Sequence, residues 1–272
     1  IITGLVGSEM CIRDRASSVV WSPFFVAFAV GQIYIDNYNS WLSLLIGLLI
    51  GSMFTLISVF ALNKNLNFIL LKRSLNCLRP IFKFLIIVMG IIVSFSLYFN
   101  LTALSAVIFV MPILILIYFI KNLKKLKNIF SLTVNSMRTN IDDIVIISLA
   151  MMIGFIITNS PNQNFLYGYF DFELVPNFLI FILIPLIMCI LSILCIHPVI
   201  SSTILLTIFS NSIFDINHAL LMQAHLIGWC TGTLSSVASL TVITCSNLFT
   251  VPSLRIAFGE NIFVVVLFSI FG

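Results

Sequence analysis

The sequence predicts an all-α, polytopic membrane protein built from helices rather than from a barrel. Three observations carry that expectation. The 272 residues are 61% hydrophobic and 8% charged, with a mean hydropathy of +1.20. Soluble domains average roughly 45–50% apolar and about 25% charged residues, so lipid is the solvent that suits this chain. The apolar residues also come in long runs of about 20, the length of a helix spanning the hydrocarbon, and not in the ten-residue alternation of barrel strands. Finally, most of the basic residues sit in a few loops between those runs.

In chain order, the runs that could span are 41–62, 81–99, 101–120, the shorter 144–158, and 178–196. Less regular apolar regions occupy 17–35, 199–213, 217–250 and 262–271. Lys64, Lys72, Arg73 and Arg79 precede the second run, with Lys83 just inside it; Lys121, Lys124, Lys125, Lys127 and Arg138 follow the third. The segment 159–177 has Asp171 and Glu173 but no Lys or Arg, and 36–40 has only Asp36. Short basic loops stay cytoplasmic. Residues 63–80 and 121–143 are therefore expected inside, with Asn100 and 159–177 outside, and each intervening run agrees in parity.

The basic loops carry a pattern of their own. Phe130, Val134, Met137 and Ile141 recur on one helical face, as do Phe68, Leu71, Leu75 and Leu78. Both segments read as helices lying in the interface. Asp142-Asp143 could form a carboxylate pair, but Thr139 to Asp142 has the pattern of a capping box, and acids favour a helix N-terminus. Capping is the preferred reading. A net charge of +4, confined to such loops, gives no support to a nucleic-acid partner. Cys77, Cys189, Cys195, Cys230 and Cys245 include no CxxC pair; they read as small buried packing residues, with no disulfide or zinc framework.

A charge at the bilayer centre would mark a functional site. This chain nearly lacks one, since Lys83 can snorkel to the interface. Any pathway must then use neutral polar groups, helix ends and backbone, and three clusters supply them. Ser22-Pro23 interrupts an apolar run, because proline removes a backbone donor. His197-Pro198 is followed by Ser201, Ser202 and Thr203. Thr231, Gly232, Thr233, Ser235, Ser236 and Ser239 lie within a region too long for one simple span. Broken helices in lipid are tolerated chiefly where the freed backbone is buried or lines a cavity, and half-helix ends there bind ions or anionic solutes.

Ser22, Pro23, His197, Ser201, Ser202, Thr231, Gly232, Thr233, Ser235, Ser236 and Ser239 are accordingly the candidate substrate- or ion-binding residues. They are expected to meet near the midplane. The competing explanation is that Ser, Thr, Gly and Pro simply pack membrane helices closely. Gly47-x-x-x-Gly51 invites such an approach. His218 and His225 share a helical face, yet the three histidines have no acidic or cysteine neighbours to complete a metal site. Ordinary hydrogen bonding is preferred for them over a proton relay through His197 or His225.

The stretches SPFFVAFAV, HPVISSTILL and LSSVASLTV, with VPSLRI and EN further on, resemble a permease-like branch of the ion transporter superfamily. That superfamily includes sodium-coupled carboxylate symporters and sodium/proton carriers. The resemblance covers about residues 19–270 and implies two inverted repeats, each with a re-entrant hairpin and an interrupted helix, whose small polar motifs bind sodium and substrate. Ser22-Pro23 and Ser235-Ser236 stand where the best-known carboxylate carriers have a Ser-Asn-Thr signature. Trp21-Ser22-Pro23 and Leu234-Ser235-Ser236 each begin an apolar stretch that leads through a polar turn to another helix, a weak internal repeat.

Residues 5–15, LVGSEMCIRDR, are of another kind. The codon run GTG GGC TCG GAG ATG TGT ATA AGA GAC would translate to Val6 to Asp14, and that run is similar to the mosaic-end adapter of transposon-based sequencing libraries. Residues 1–15 are therefore expected to be a non-native leader without function, ahead of a truncated protein. Residues 16–62 would be the remnant of a first repeat, 63–143 the basic segments flanking a two-helix hairpin, and 144–272 a second repeat. Asn261–Gly272 is too short to cross about 30 Å at about 1.5 Å per residue, so the far end also reads as cut.

The function expected is secondary transport across an inner membrane. A small solute or ion, an organic anion among the candidates, would move by alternating access, with Na+ or H+ as the coupling ion. The expected partners are the bilayer and that solute, with a homodimer compatible, and neither a cofactor nor enzymatic chemistry is implied. No arginine in an apolar run fixes a carboxylate; Arg255, in a turn, comes nearest. A membrane enzyme or a lipid- or polysaccharide-handling protein is the alternative, but its loop 159–177 would offer Asp171, Glu173, Tyr167 and Tyr169 without a base. A non-catalytic membrane subunit is a third reading.

Overall fold

Helices account for all the regular secondary structure among the described residues of the computed structural model, and no strand occurs there. Those residues are 13, 16–35, 40–62, 84, 86–101, 103–121, most of 130–138, 141–158, 176–210 and 216–272. The basic segment 63–80, the loop 159–175 and the side chains of Asp142 and Asp143 lie outside them.

The chain divides into two compact units, Ile1–Leu62 with Asp143–Gly272, and Asn63–Asp142. In the first, α1 (16–21) is followed after a break by α2 (Val26–Tyr34) and α3 (Ser40–Leu62). The second unit holds α4 (Ile86–Phe99) and α5 (Ala103–Lys121), joined at Asn100, whose φ is 51°. Its described residues between 130 and 138 are helical, and Phe130 and Met137 are exposed. The first unit resumes with α6 (Ile141–Thr158) and α7 (Asn177–Ile193). Then follow α8 (Pro198–Phe209), α9 (His218–Ser235), α10 (Leu240–Phe249), α11 (Ser253–Phe258) and α12 (Glu260–Phe271).

Among the described residues, two helical runs are long and apolar enough to cross a membrane, Ala16–Tyr34 with 19 residues and His218–Phe249 with 32. Both contain an interruption. The first falls at 22–25, where Pro23 has no N–H to return to Val19 O and Phe24 N–H turns to Ser22 Oγ at 3.5 Å. The second falls at 236–239, where Ser239 Oγ takes over as cap of α10 by accepting from Val242 N at 3.2 Å. Each break is followed by a short helix, of 9 residues in α2 and 10 in α10.

At the centre of the first unit stands α9, with 15 of its 18 residues buried, polar ones included. It packs most extensively on α7, and also on α12, α8, α2 and α3. Small residues permit this. A Cβ on Gly228 would come within 3.1 Å of Pro185 Cα in α7, and one on Gly232 within 3.2 Å of Pro198 Cγ. Gly47 and Gly51 serve α3 in the same way: Val20 O lies against the first, and Trp21 Cδ1 within 2.7 Å of a Cβ on the second. The close helix approach suggested by their spacing is therefore made to α1. One turn further on, Thr55 Oγ1 donates to Ser17 Oγ at 3.0 Å.

The core is apolar, with polar side chains buried among its residues, while large apolar side chains are exposed on the outer helices. The central helix carries Gln223, His225, Thr231 and Ser235 in buried positions. The outward faces of α3 and α6 are apolar, with Leu49, Ile57, Met152 and Phe155 exposed. One expectation is corrected. Cys195, read as a buried packing residue, is exposed, because it occupies the left-handed turn (φ 63°) that ends α7 and points out between two helices. Cys189, Cys230 and Cys245 are buried.

Candidate functional site

The second polar cluster opens α8. His197 is the N-cap, its Nδ1 accepting from Val199 N at 3.2 Å, and Pro198 occupies the first turn, where its missing N–H costs nothing. This start turns Ser201, Ser202 and Thr203 into the interior, all three fully buried. Ser201 Oγ donates to Pro198 O at 3.1 Å and Thr203 Oγ1 to Ile200 O at 2.9 Å, so both are satisfied within their own helix. Ser202 is not: its Oγ lies 3.0 Å from His225 Nδ1 on α9.

His225 joins three helices. Its Nε2 lies 2.8 Å from Ala27 O, at the start of α2 just past the first break. A carbonyl can only accept, so Nε2 carries the proton of the neutral ring, and Nδ1 then accepts from the Ser202 hydroxyl. Trp229, one turn along, meets His225 edge to face at 5.7 Å between centroids and His197 at 6.4 Å. A row of imidazole, indole and imidazole thus runs from the cap of α8 to the middle of α9.

The third cluster lies further along α9. Thr231, Gly232, Thr233 and Ser235 are still helical, and Thr231 Oγ1 and Thr233 Oγ1 donate to carbonyls of the preceding turn. Ser235 Oγ is 3.3 Å from Gly232 O and 3.7 Å from Cys189 Sγ. Ser236 ends the helix, and Ser239 Oγ donates to Thr233 O at 2.6 Å, which folds the break back on α9. Ser192 Oγ, buried against Gly232, has no hydrogen-bond partner among the described residues.

The three clusters do not form a single group. The His197–Thr203 cluster touches both others, through Ser202–His225–Ala27 on one side and Pro198–Gly232 on the other. Val20 and Ala27, which flank the first break, lie beside Gln223 and His225. The second break begins at Ser236, eleven residues beyond His225 and roughly 16 Å further along at about 1.5 Å per residue. Ser22 and Ser235 are both buried, at different levels of α9.

No family model, curated protein or solved structure matches this chain. The site therefore rests on its own chemistry. No group of three or more metal-ligating side chains occurs among the described residues. An apolar groove of about 720 Å³ lies between α3 and α12, walled by Met53, Ile57, Phe263 and Leu267, and has little chemistry to offer. Arg13, expected to lie in a leader without function, reaches its edge and donates from Nε to Asn261 Oδ1 at 2.7 Å.

Two features of the interior were not among the candidates read from sequence. Gln223 is buried and donates through Nε2 to Ser43 O at 2.5 Å and to Ser43 Oγ at 2.8 Å. An amide in the apolar stretch after Asn217 was a visible signal, but its partner lies 180 residues away. Gly228-x-x-x-Gly232 has the same spacing as Gly47-x-x-x-Gly51 and could have been found by it. Arg255 is exposed on α11 and takes no part.

Proposed function

We propose that this chain is a multi-pass inner-membrane protein of the secondary-transporter kind, in which a small solute or ion passes beside α9 as α8 and α2 move against it. The observation that carries this reading is the Ser202–His225–Ala27 bridge, which couples an interrupted helix to two others in the interior. A protein that only packs helices has no need to bury a histidine at an interruption, where freed backbone calls for polar partners. The large apolar side chains exposed on α3 and α6 support lipid as the solvent. The similar sequence of break, short helix and further helix after residues 22 and 236 supports the resemblance to the ion transporter superfamily, with its paired repeats.

Reconstitution into proteoliposomes tests the proposal. Uptake of small carboxylates would be followed under imposed Na+ and proton gradients, with empty liposomes as the baseline. Ser235→Ala and Ser236→Ala are expected to lower uptake without lowering insertion, whereas Leu49→Ala, on the outward face of α3, should leave it unchanged. Uptake equal to that of empty liposomes under both gradients would dismiss the transport reading for these solutes, and normal uptake by the serine variants would leave packing as their role.

A further inference from the structure

The first break and the Gln223–Ser43 pair face each other. Both donor bonds of Gln223 Nε2 go to Ser43, which fixes the orientation of the amide and leaves Oε1 aimed elsewhere. Oε1 is buried and has no partner among the described residues. The interruption at 22–25 supplies further acceptors. Pro23 cannot donate to Val19 O, and Phe24 N–H is turned to Ser22 Oγ, which takes it from Val20 O. Carbonyls at a helix C-terminus carry the negative end of its dipole.

Gly47 brings these groups together. A Cβ at that position would stand 3.0 Å from Gln223 Oε1 and closer still to Val20 O. Glycine is thus what allows α3 to lie against both at once. Val20 O, Gln223 Oε1 and a lone pair of Ser43 Oγ make a set of neutral oxygens with no remaining N–H to pair them among the described residues. Such a set suits a small hard cation, which takes oxygen ligands. The absence of a carboxylate among these three favours one positive charge over two.

We propose that Val20 O, Gln223 Oε1 and Ser43 Oγ form a binding site for a monovalent cation of the size of Na+, at the C-terminal end of the broken helix α1. It lies on the Gln223 side of α9, away from the serine-rich turn at 236–239. The site rests on the transport reading for its role as a coupling site, but its occupancy can be measured without transport.

The test is thermal unfolding of the purified chain in detergent, in NaCl, KCl or choline chloride at equal ionic strength, beside equilibrium binding of radioactive 22Na+. A ligand that binds only the folded state raises Tm with its concentration. NaCl should raise Tm by several degrees over choline chloride, KCl should do so less, and unlabelled Na+ should displace the tracer. Gln223→Met keeps the length of the side chain but removes Oε1; it should lose the Na+-specific shift and lower tracer binding at least tenfold. Ser43→Ala, which retains Ser43 O for the amide, should weaken binding by a smaller factor. Equal Tm in NaCl and choline chloride without displaceable tracer would overturn the site, as would a Na+ shift matched by KCl or retained in a folded Gln223→Met protein. Na+ binding without uptake in proteoliposomes would leave the site standing and remove the transport reading.

Discussion

Ser202 and His225, on neighbouring helices, meet through Oγ and Nδ1 at 3.0 Å with both residues buried. The bond exists because Ala27 O claims the proton on Nε2 and leaves Nδ1 as an acceptor. Ser202→Ala removes its donor and should destabilise the protein by about 1–2 kcal/mol. Ser202→Ala and His225→Phe combined should cost less than the sum of the two, since the double substitution leaves neither Ser202 Oγ nor His225 Nδ1 unpaired. A double-mutant cycle of thermal unfolding in detergent reads the difference, and strict additivity would deny the bond.

Glycines at helix contacts should behave unlike glycines facing outward. Gly228→Ala places a methyl group 2.6 Å from Met188 Sδ and 3.1 Å from the backbone at Pro185, and should cost about 1–3 kcal/mol. Gly90 has nothing within 4 Å, so Gly90→Ala should be neutral or stabilise by about 0.5–1 kcal/mol through helix propensity. The same unfolding measurement compares them. Equal effects at the two positions would contradict the packing of α9 on α7.

The ends of α9 and α10 depend on side-chain caps. Asn217 Oδ1 accepts from Ala219 N at 2.9 Å and Leu220 N at 3.3 Å, and Ser239 Oγ caps α10. Asn217→Ala and Ser239→Ala should each cost about 1 kcal/mol, while Asn217→Asp should retain most of the stability. Melting curves that place Asn217→Asp level with Asn217→Ala would show that capping is not the role of Asn217.

Orientation follows from the charges of the loops. In a cysteine-free background, Lys125→Cys should be labelled by an impermeant thiol reagent from the cytoplasmic side and Gln163→Cys from the opposite side. Labelling of both from one side would refute the orientation read from Lys64–Arg79 and Lys121–Arg138.

The sequence by itself determined where helices run and where they stop. The run read as 41–62 became Ser40–Leu62, that read as 144–158 became Ile141–Thr158, and interruptions beside Pro23 and within Thr231–Ser239 were visible in advance, the second confined by the structure to 236–239. These features are local: apolar run length, a proline without N–H, and a serine able to cap are properties of a few adjacent residues. Only the tertiary structure decided that α9 is the hub, that His225 faces Ala27 and Ser202, and that Gln223 finds Ser43 across 180 residues. It also decided that Cys195 is exposed and that the two breaks sit at different levels of α9. The physical reason lies in the composition. In a soluble helix one apolar stripe marks the face that packs, but α3, α6 and α7 are apolar nearly all round, so their sequences do not say which side turns inward. That choice falls to close contacts between small residues and to single hydrogen bonds between helices, and those are settled only when distant parts of the chain meet.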